Sequence, residues 1–226
     1  MITIKDIEKA LRNREIYLVY QPIFCLKTDS IVAYEALARW KFKGNFISPA
    51  IFMGLGDLPL MRSLTQYILE LAEKTETEFN IPIHVNISIY DLASNITSKV
   101  SCLEITEETS RSRQIDYINK LSKNYQIVID DFGKDYSSWV NLPYINISKI
   151  KLDRQIVNEL SLTHSIWYQD VISFVVKMAN RNNITIVAEG IEKESQLILL
   201  KSLSVHQGQG YLLGVPQTGV CRTHIP

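Results

Sequence analysis

Cysteine is nearly missing from this sequence. Cys25, Cys102 and Cys221 are odd in number, far apart and without metal-ligand spacing. They exclude a disulfide-stapled secreted scaffold and a thiolate metal site, and read as small buried hydrophobes. Net charge is missing too, because 24 basic side chains balance 24 acidic ones. No overall field recommends DNA or an anionic membrane as partner, so an anionic ligand must be captured locally. No apolar run is long enough to span a bilayer, and the N-terminus, MITIKDIEKALRNREIYLVY, is charged and amphipathic rather than a basic segment leading into an apolar core. The expected location is cytoplasmic. Internal repeats, low-complexity tracts and linkers are also absent. With 226 residues, 46% hydrophobic and 21% charged, the chain is expected to form one soluble domain over positions 1–226 with a substantial core.

What the chain does contain is a series of short apolar runs. After a first helix near residues 4 to 14 come IYLVYQPIF, IVAYEALARW, IHVNIS, SCLEIT, QIVID, ISKIKL, TIVAEGI and GQGYLL. From the third onward, each is separated from the next by a segment able to hold a helix or turn. The clearest helical spacing lies in SRSRQIDYINKLSKN and SIWYQDVISFVVKMANRNN. Alternating strands and helices imply a largely parallel sheet. The first two runs differ: LKTDS is too short for a helical crossover and suits an antiparallel hairpin. The fold expected is a TIM-like (β/α)8 barrel with an irregular start, its first strand antiparallel. A long helix fits LPLMRSLTQYILELAEKTETEF, with Leu60, Leu64, Ile68, Leu69 and Ala72 along one core-facing stripe.

Polar residues gather at the C-terminal ends of these runs. They are Glu35, Asn86, Glu104, Asp130 and Asp131, then Lys151, Glu189, Glu192 just beyond it, and Gln209. Singly, each has a commoner use as a helix cap, a turn residue or a solvated edge. In an α/β barrel, however, those strand ends converge on one face, where such enzymes carry their chemistry. Two adjacent aspartates ending the apolar strand Ile127-Val128-Ile129 need a cation, a shifted pKa or full exposure. A surplus of oxygen ligands favours hard ions such as Mg²⁺ or Mn²⁺, and more carboxylates than one ion requires suggest two ions. As neighbours on a strand the two aspartates point in different directions, so that one bridges both ions while the other holds one ion or a bound water.

The order of these pieces resembles the EAL-domain family of cyclic di-GMP phosphodiesterases, named for the tripeptide present here as Glu35-Ala36-Leu37. The likeness runs from Tyr20-Gln21-Pro22-Ile23 through YEALARW, HVNIS, CLEITEE, IDDFG with YSS, SKIKLDR and VAEGIE to QGYLL. The resemblance implies that Glu35, Asn86, Glu104 and Asp130 bind a divalent metal, with Asp131 on a second ion that Asp130 bridges. It implies that Lys151 contacts the attacking water, and that Glu189, as ligand or base, and Gln209 complete the site. Gln21, Leu37, Arg39 and Asp153 are expected to line the dinucleotide site, Arg39 by gripping phosphate through its guanidinium fork. Glu107 and Glu192 resemble residues that brace the loop after the two aspartates.

The implied reaction is hydrolysis of one phosphodiester bond of cyclic di-GMP, giving linear pGpG, by a protein expected to form homodimers. Two positions depart from the family's usual pattern. Lys134-Asp135 stands where Thr-Gly is common, and Gly214-Val215-Pro216 lacks an arginine usual after QGYLL. The altered loop gives the alternative reading its motive: a catalytically silent receptor for the nucleotide, or a regulator that binds another protein.

Overall fold

The computed structural model describes residues 2–88, 96–106, 114–134, 141–162 and 165–220. Thr3 and Asp6 form a reciprocal capping box that starts α1 (Ile4–Arg12). The hairpin follows as β1 (Ile16–Cys25) and β2 (Ser30–Phe42), paired antiparallel from Ile16↔Trp40 to Cys25↔Ser30. Two small elements that the sequence pattern did not announce come next, β3 (Asn45–Ile47) and α2 (Pro49–Leu55).

The long helix α3 (Leu58–Phe79) has the bounds its pattern predicts. Asp57 caps it by accepting from the Leu60 amide, and Asn80, in the left-handed conformation at φ 51°, ends it. Its predicted stripe of Leu60, Leu64, Ile68, Leu69 and Ala72 is buried throughout. Burial of a side chain such as Leu64 is worth roughly 1.5–3 kcal/mol. Then come β4 (Ile83–Asn86), β5 (Cys102–Thr106), α4 (Ile115–Leu121), β6 (Gln126–Phe132), a single 3₁₀ turn at Leu142–Tyr144 and β7 (Lys149–Leu152). The described chain continues through α5 (Arg154–Glu159), α6 (Ser165–Arg181), β8 (Thr185–Ala188), α7 (Glu194–Ser202) and β9 (Gln207–Gly208).

Strands β2 and β4 to β9 lie side by side in parallel, while β1 pairs antiparallel with both β2 and β9 and so closes the ring. The eight runs of the sequence become the eight barrel strands, and β3 extends the free end of β2 outside the ring. The GQGYLL run yields only a short strand because the chain turns after Gly208, with Leu213 and Gly214 both donating to the Gly210 carbonyl. A Cβ at Gly210 would collide with the Ile191 backbone, so glycine permits the close approach of the segments that follow β8 and β9.

The main core lies between barrel and helices, where Ile127, Ile129, Ile150, Ile186 and Leu103 meet Leu64, Ile68, Val175 and Leu200. A smaller cluster of Ile23, Ala33 and Val187 sits on the alternate face of the strands. Each of the three lies two residues from Gln21, Glu35 or Glu189, so strand alternation places those polar side chains on the same inward face. Among the described residues, no helix is long and apolar enough to cross a membrane.

Candidate active site

Lys151 is the centre of the polar cluster. Strand alternation turns it inward between Ile150 and Leu152, where it is fully buried. Its Nζ lies 2.7 Å from Glu189 Oε1, 2.8 Å from Glu104 Oε2, 3.1 Å from Asp130 Oδ1 and 3.3 Å from Glu35 Oε2. Burial alone opposes the ammonium charge, but Glu104, Glu189, Glu35 and Asp130 outweigh it and hold the pKa well above the ordinary lysine value. One cation cannot balance four carboxylates. The remaining charge must be met by protons or by further cations.

Each carboxylate is held by neighbours from adjacent strands. Asn86 Nδ2 donates to Glu35 Oε1 at 2.8 Å, which leaves the amide oxygen of Asn86 as the atom it can offer an ion. Gln209 Nε2 donates to Glu35 Oε2 at 2.7 Å and to Gln21 Oε1 at 3.0 Å, while Gln21 Nε2 donates to the Gly214 carbonyl at 3.1 Å. Glu104 is fully buried, with His84 Nδ1 2.7 Å from its Oε1. Burial pushes the Glu104 carboxyl well above its usual range; Lys151 opposes that, and Glu35 and Asp130 add to it. His84 in turn is held well below the usual histidine value, first by burial and then by Lys149 and Lys151, which favours a neutral ring.

Strand alternation alone would send Asp130 and Asp131 to opposite faces. Instead the register of β6 against β7 shifts between Ile129 and Phe132, and Asp131 adopts φ 55°, a left-handed conformation that aspartate tolerates. The bulge keeps both carboxylates at the same end of the barrel. Ligand atoms of Asp130, Asp131 and Glu189 lie within 4.8 Å of one another, as do those of Glu35, Glu104 and Asp130. Asp130 belongs to both groups. Its Oδ1 is buried and, although close to Lys151, has no hydrogen-bond partner; Gln209 Oε1 is likewise buried and unpartnered. A residue shared by two acidic groups, with hard oxygen donors throughout and one oxygen lacking a hydrogen-bond partner, fits the binding of divalent cations.

A cavity of about 200 Å³ opens beside this cluster, lined by Gln21, Glu35, Glu189, Glu192 and Gln209 and by Arg154 and Tyr211. Glu35, Leu37 and Arg39 follow one another on one face of β2, opposite Gln21, Val19 and Tyr17 of β1. Arg39 Nη1 donates to the Ala38 carbonyl at 2.9 Å. Asp153, read from the sequence as a lining residue, is buried as the cap of α5 and accepts from the Gln155 amide at 2.7 Å.

The family model described as "EAL domain" matches residues 4–216. The chain belongs to the EAL-domain family. A "Cyclic di-GMP phosphodiesterase PA2567" of Pseudomonas aeruginosa is 32% identical over 225 residues, covering 88% of this chain and 38% of that protein. The "Bifunctional diguanylate cyclase/cyclic di-GMP phosphodiesterase MucR" of the same organism is 29% identical over 237 residues, covering 93% of this chain and 34% of that protein. The solved "PaMucR Phosphodiesterase, c-di-GMP complex" superposes with a TM-score of 0.84 at 28% identity, over 94% of this chain and 96% of that one. Compared with curated relatives, the EAL domain here spans 30% to 38% of the length of three of them.

The fold of this EAL domain thus brings Glu35, Asn86, Glu104, Asp130, Asp131, Lys151, Glu189, Gln21 and Gln209 to one end of the barrel. Glu192 is exposed on the wall of the cavity. Glu107, expected to brace the loop after Asp131, lies outside the described residues, as do Asp135 and Cys221; Cys102 is buried and Cys25 half-buried. Sequence reasoning missed His84, Lys149, Arg154 and Tyr211. His84 and Lys149 had a signal in strand period, each standing two residues before a site residue on the same strand.

Glu189 supplies a pH-dependent test. Burial, with Asp130 and Glu35 adding and Lys151 opposing, raises its pKa from 4.5 to about 7. The native protein therefore keeps a proton that the unfolded chain releases between those two values, and metal-free stability falls as pH rises through that window, then levels off. In EDTA, wild-type protein is expected to lose more thermal stability between pH 5 and 7 than Glu189→Gln does. Parallel melting curves for the two proteins across that range would remove Glu189 as the source.

Proposed function

We propose that this EAL domain hydrolyses cyclic di-GMP to linear pGpG using two divalent ions, Mg²⁺ or Mn²⁺. The observation that carries the reading is Asp130 standing in two acidic groups at once, beside a fully buried lysine. The names of the relatives support the substrate, and the domain's share of their length leaves regulation to whatever else such proteins contain. Glu35, Asn86, Glu104 and Asp130 would hold one ion, and Asp130, Asp131 and Glu189 the other. Bound there, the ions would lower the pKa of a water and offset charge on the transferring phosphate.

The chain's own groups supply the rest. Lys151, kept charged by its carboxylate neighbours, orients the attacking water and adds positive charge near the phosphate. Glu189 has two carboxylate oxygens, so one can hold the ion while the other accepts the water's proton. The water oxygen bonds to phosphorus, one bridging ester oxygen leaves and takes a proton, and the ring opens with a terminal phosphate. Gln21, Leu37, Arg39 and Asp153 are assigned to the substrate side of the site, with Arg39 on phosphate once it exchanges its contact to Ala38.

Chromatography of cyclic di-GMP incubated with the protein tests this reading. The expected result is pGpG that requires Mg²⁺ or Mn²⁺ and is absent with EDTA or in Glu35→Ala. Intact nucleotide under saturating metal would overturn it.

The altered loop supplies a graded test. Lys134 Nζ lies 3.3 Å from Asp131 Oδ2, with the two side chains 47% and 36% exposed. A tethered ammonium on a ligand carboxylate competes with an ion, though a pair this exposed is worth at most about 1 kcal/mol. Lys134→Thr is therefore expected to lower the Mn²⁺ concentration for half-maximal activity by roughly two- to fivefold. An unchanged titration curve would mean that Lys134 does not oppose the ion.

A further inference from the structure

One layer deeper in the barrel than the site, two polar side chains continue the cluster in a direction that the proposed reaction leaves unused. His84 precedes Asn86 by two residues on β4, and Lys149 precedes Lys151 by two on β7, so both face inward beneath the site. His84 is completely buried. Lys149 Nζ sits 2.9 Å from His84 Nε2, and His84 Nδ1 sits 2.7 Å from Glu104 Oε1. A protonated lysine can only donate, so Nε2 accepts and the ring proton belongs on Nδ1, where it is given to Glu104. The second oxygen of Glu104 accepts from Lys151 at 2.8 Å. Both oxygens of this carboxylate are therefore fixed, one from below and one from the side.

We infer that His84, with its tautomer set by Lys149, is a positioning residue that orients Glu104 for a divalent ion. The inference rests on the metal reading above and extends it to residues that touch neither substrate nor ion. Buried polar side chains are costly in a barrel core, and an apolar pair at positions 84 and 149 would fill the space with no polar groups to satisfy. What the polar pair adds is direction: a carboxylate free to rotate would spend binding energy on being ordered, whereas one already held presents its oxygens at no further entropic cost.

The test is Mn²⁺ binding to metal-free protein, followed by the electron paramagnetic resonance of free Mn²⁺ and requiring no substrate. Three variants separate positioning from packing. His84→Leu keeps bulk and removes the donor, and is expected to weaken Mn²⁺ binding 10- to 100-fold. His84→Asn restores an N–H near the place of Nδ1 and is expected to recover most of that loss. Lys149→Met leaves the ring but frees its tautomer, and is expected to weaken binding by less than His84→Leu; it also serves if His84→Leu does not fold. Wild-type affinity in His84→Leu, or in Lys149→Met where the former does not fold, would overturn the inference, as would an Asn variant no better than Leu. Failure of the wild-type protein itself to bind Mn²⁺ would overturn the metal reading instead, and the positioning role with it.

Discussion

Asp130→Asn is expected to cut pGpG release by more than about 100-fold, a larger loss than replacing a group that merely supports a metal ligand, for which 10- to 100-fold is usual. Asp130 is the one residue common to both acidic groups, so the amide removes a charged oxygen from two ion positions together. Asp131→Asn touches only one of those groups and is expected to cost less. Turnover by chromatography at several Mn²⁺ concentrations, with circular dichroism to verify folding, separates the two. An Asp130→Asn enzyme within tenfold of wild type, or a larger deficit in Asp131→Asn, would show that Asp130 does not join two ion positions.

Lys151→Met should show its effect first in stability. The substitution leaves Glu35, Glu104, Asp130 and Glu189 facing one another with their shared cation removed. Breaking a buried pair by removing one partner costs about 3–5 kcal/mol, because the other charge stays buried and uncompensated. The loss is expected to be greatest at high pH in EDTA, where the carboxylates cannot recover neutrality by taking up protons. Mg²⁺ or Mn²⁺ should restore part of it, by binding only the folded form. Urea titrations at pH 6 and pH 8, each with EDTA and with excess Mg²⁺, measure all four conditions. If Lys151→Met unfolds at the wild-type urea midpoint in every one, Lys151 does not neutralise the cluster.

Much of this site was legible because strands and helices have fixed periods. Leu60, Leu64, Ile68, Leu69 and Ala72 mark α3 by helical spacing, and Lys151, set between the apolar Ile150 and Leu152 of a strand, reads as a side chain facing the polar mouth of a barrel. The hairpin was announced by a connector too short for a helix. Other features depended on contacts that no local period carries. Bringing Asp131 beside Asp130 takes a β-bulge, which depends on how β6 meets β7. The pairing of His84 with Lys149 joins residues 65 apart in sequence. For β3 and α2, the stretch KGNFISPAIFMG has neither a clean alternation nor a full helical stripe, and tertiary context decides. The cap that Asp153 forms at the start of α5 is a further contact that the strand and helix periods do not announce.

The ring closes along a thin seam. Strand β1 meets β9 only at Phe24↔Gly208 and Cys25↔Gln207, reinforced by the bridge of Tyr20 with Gln217, whereas its pairing with β2 runs the length of the strand. The hairpin forms from neighbours in sequence, but the seam joins segments more than 180 residues apart and must await nearly everything between them. Gln209 crosses that seam to reach Gln21 and Glu35. A growing chain that has just passed Glu189 therefore possesses the four carboxylates around Lys151 and still lacks the amide that ties Glu35 to Gln21 across the seam. Gln209 is the last of these polar side chains in the chain to reach Glu35, and on the proposed reading an ion held there would fasten the barrel shut.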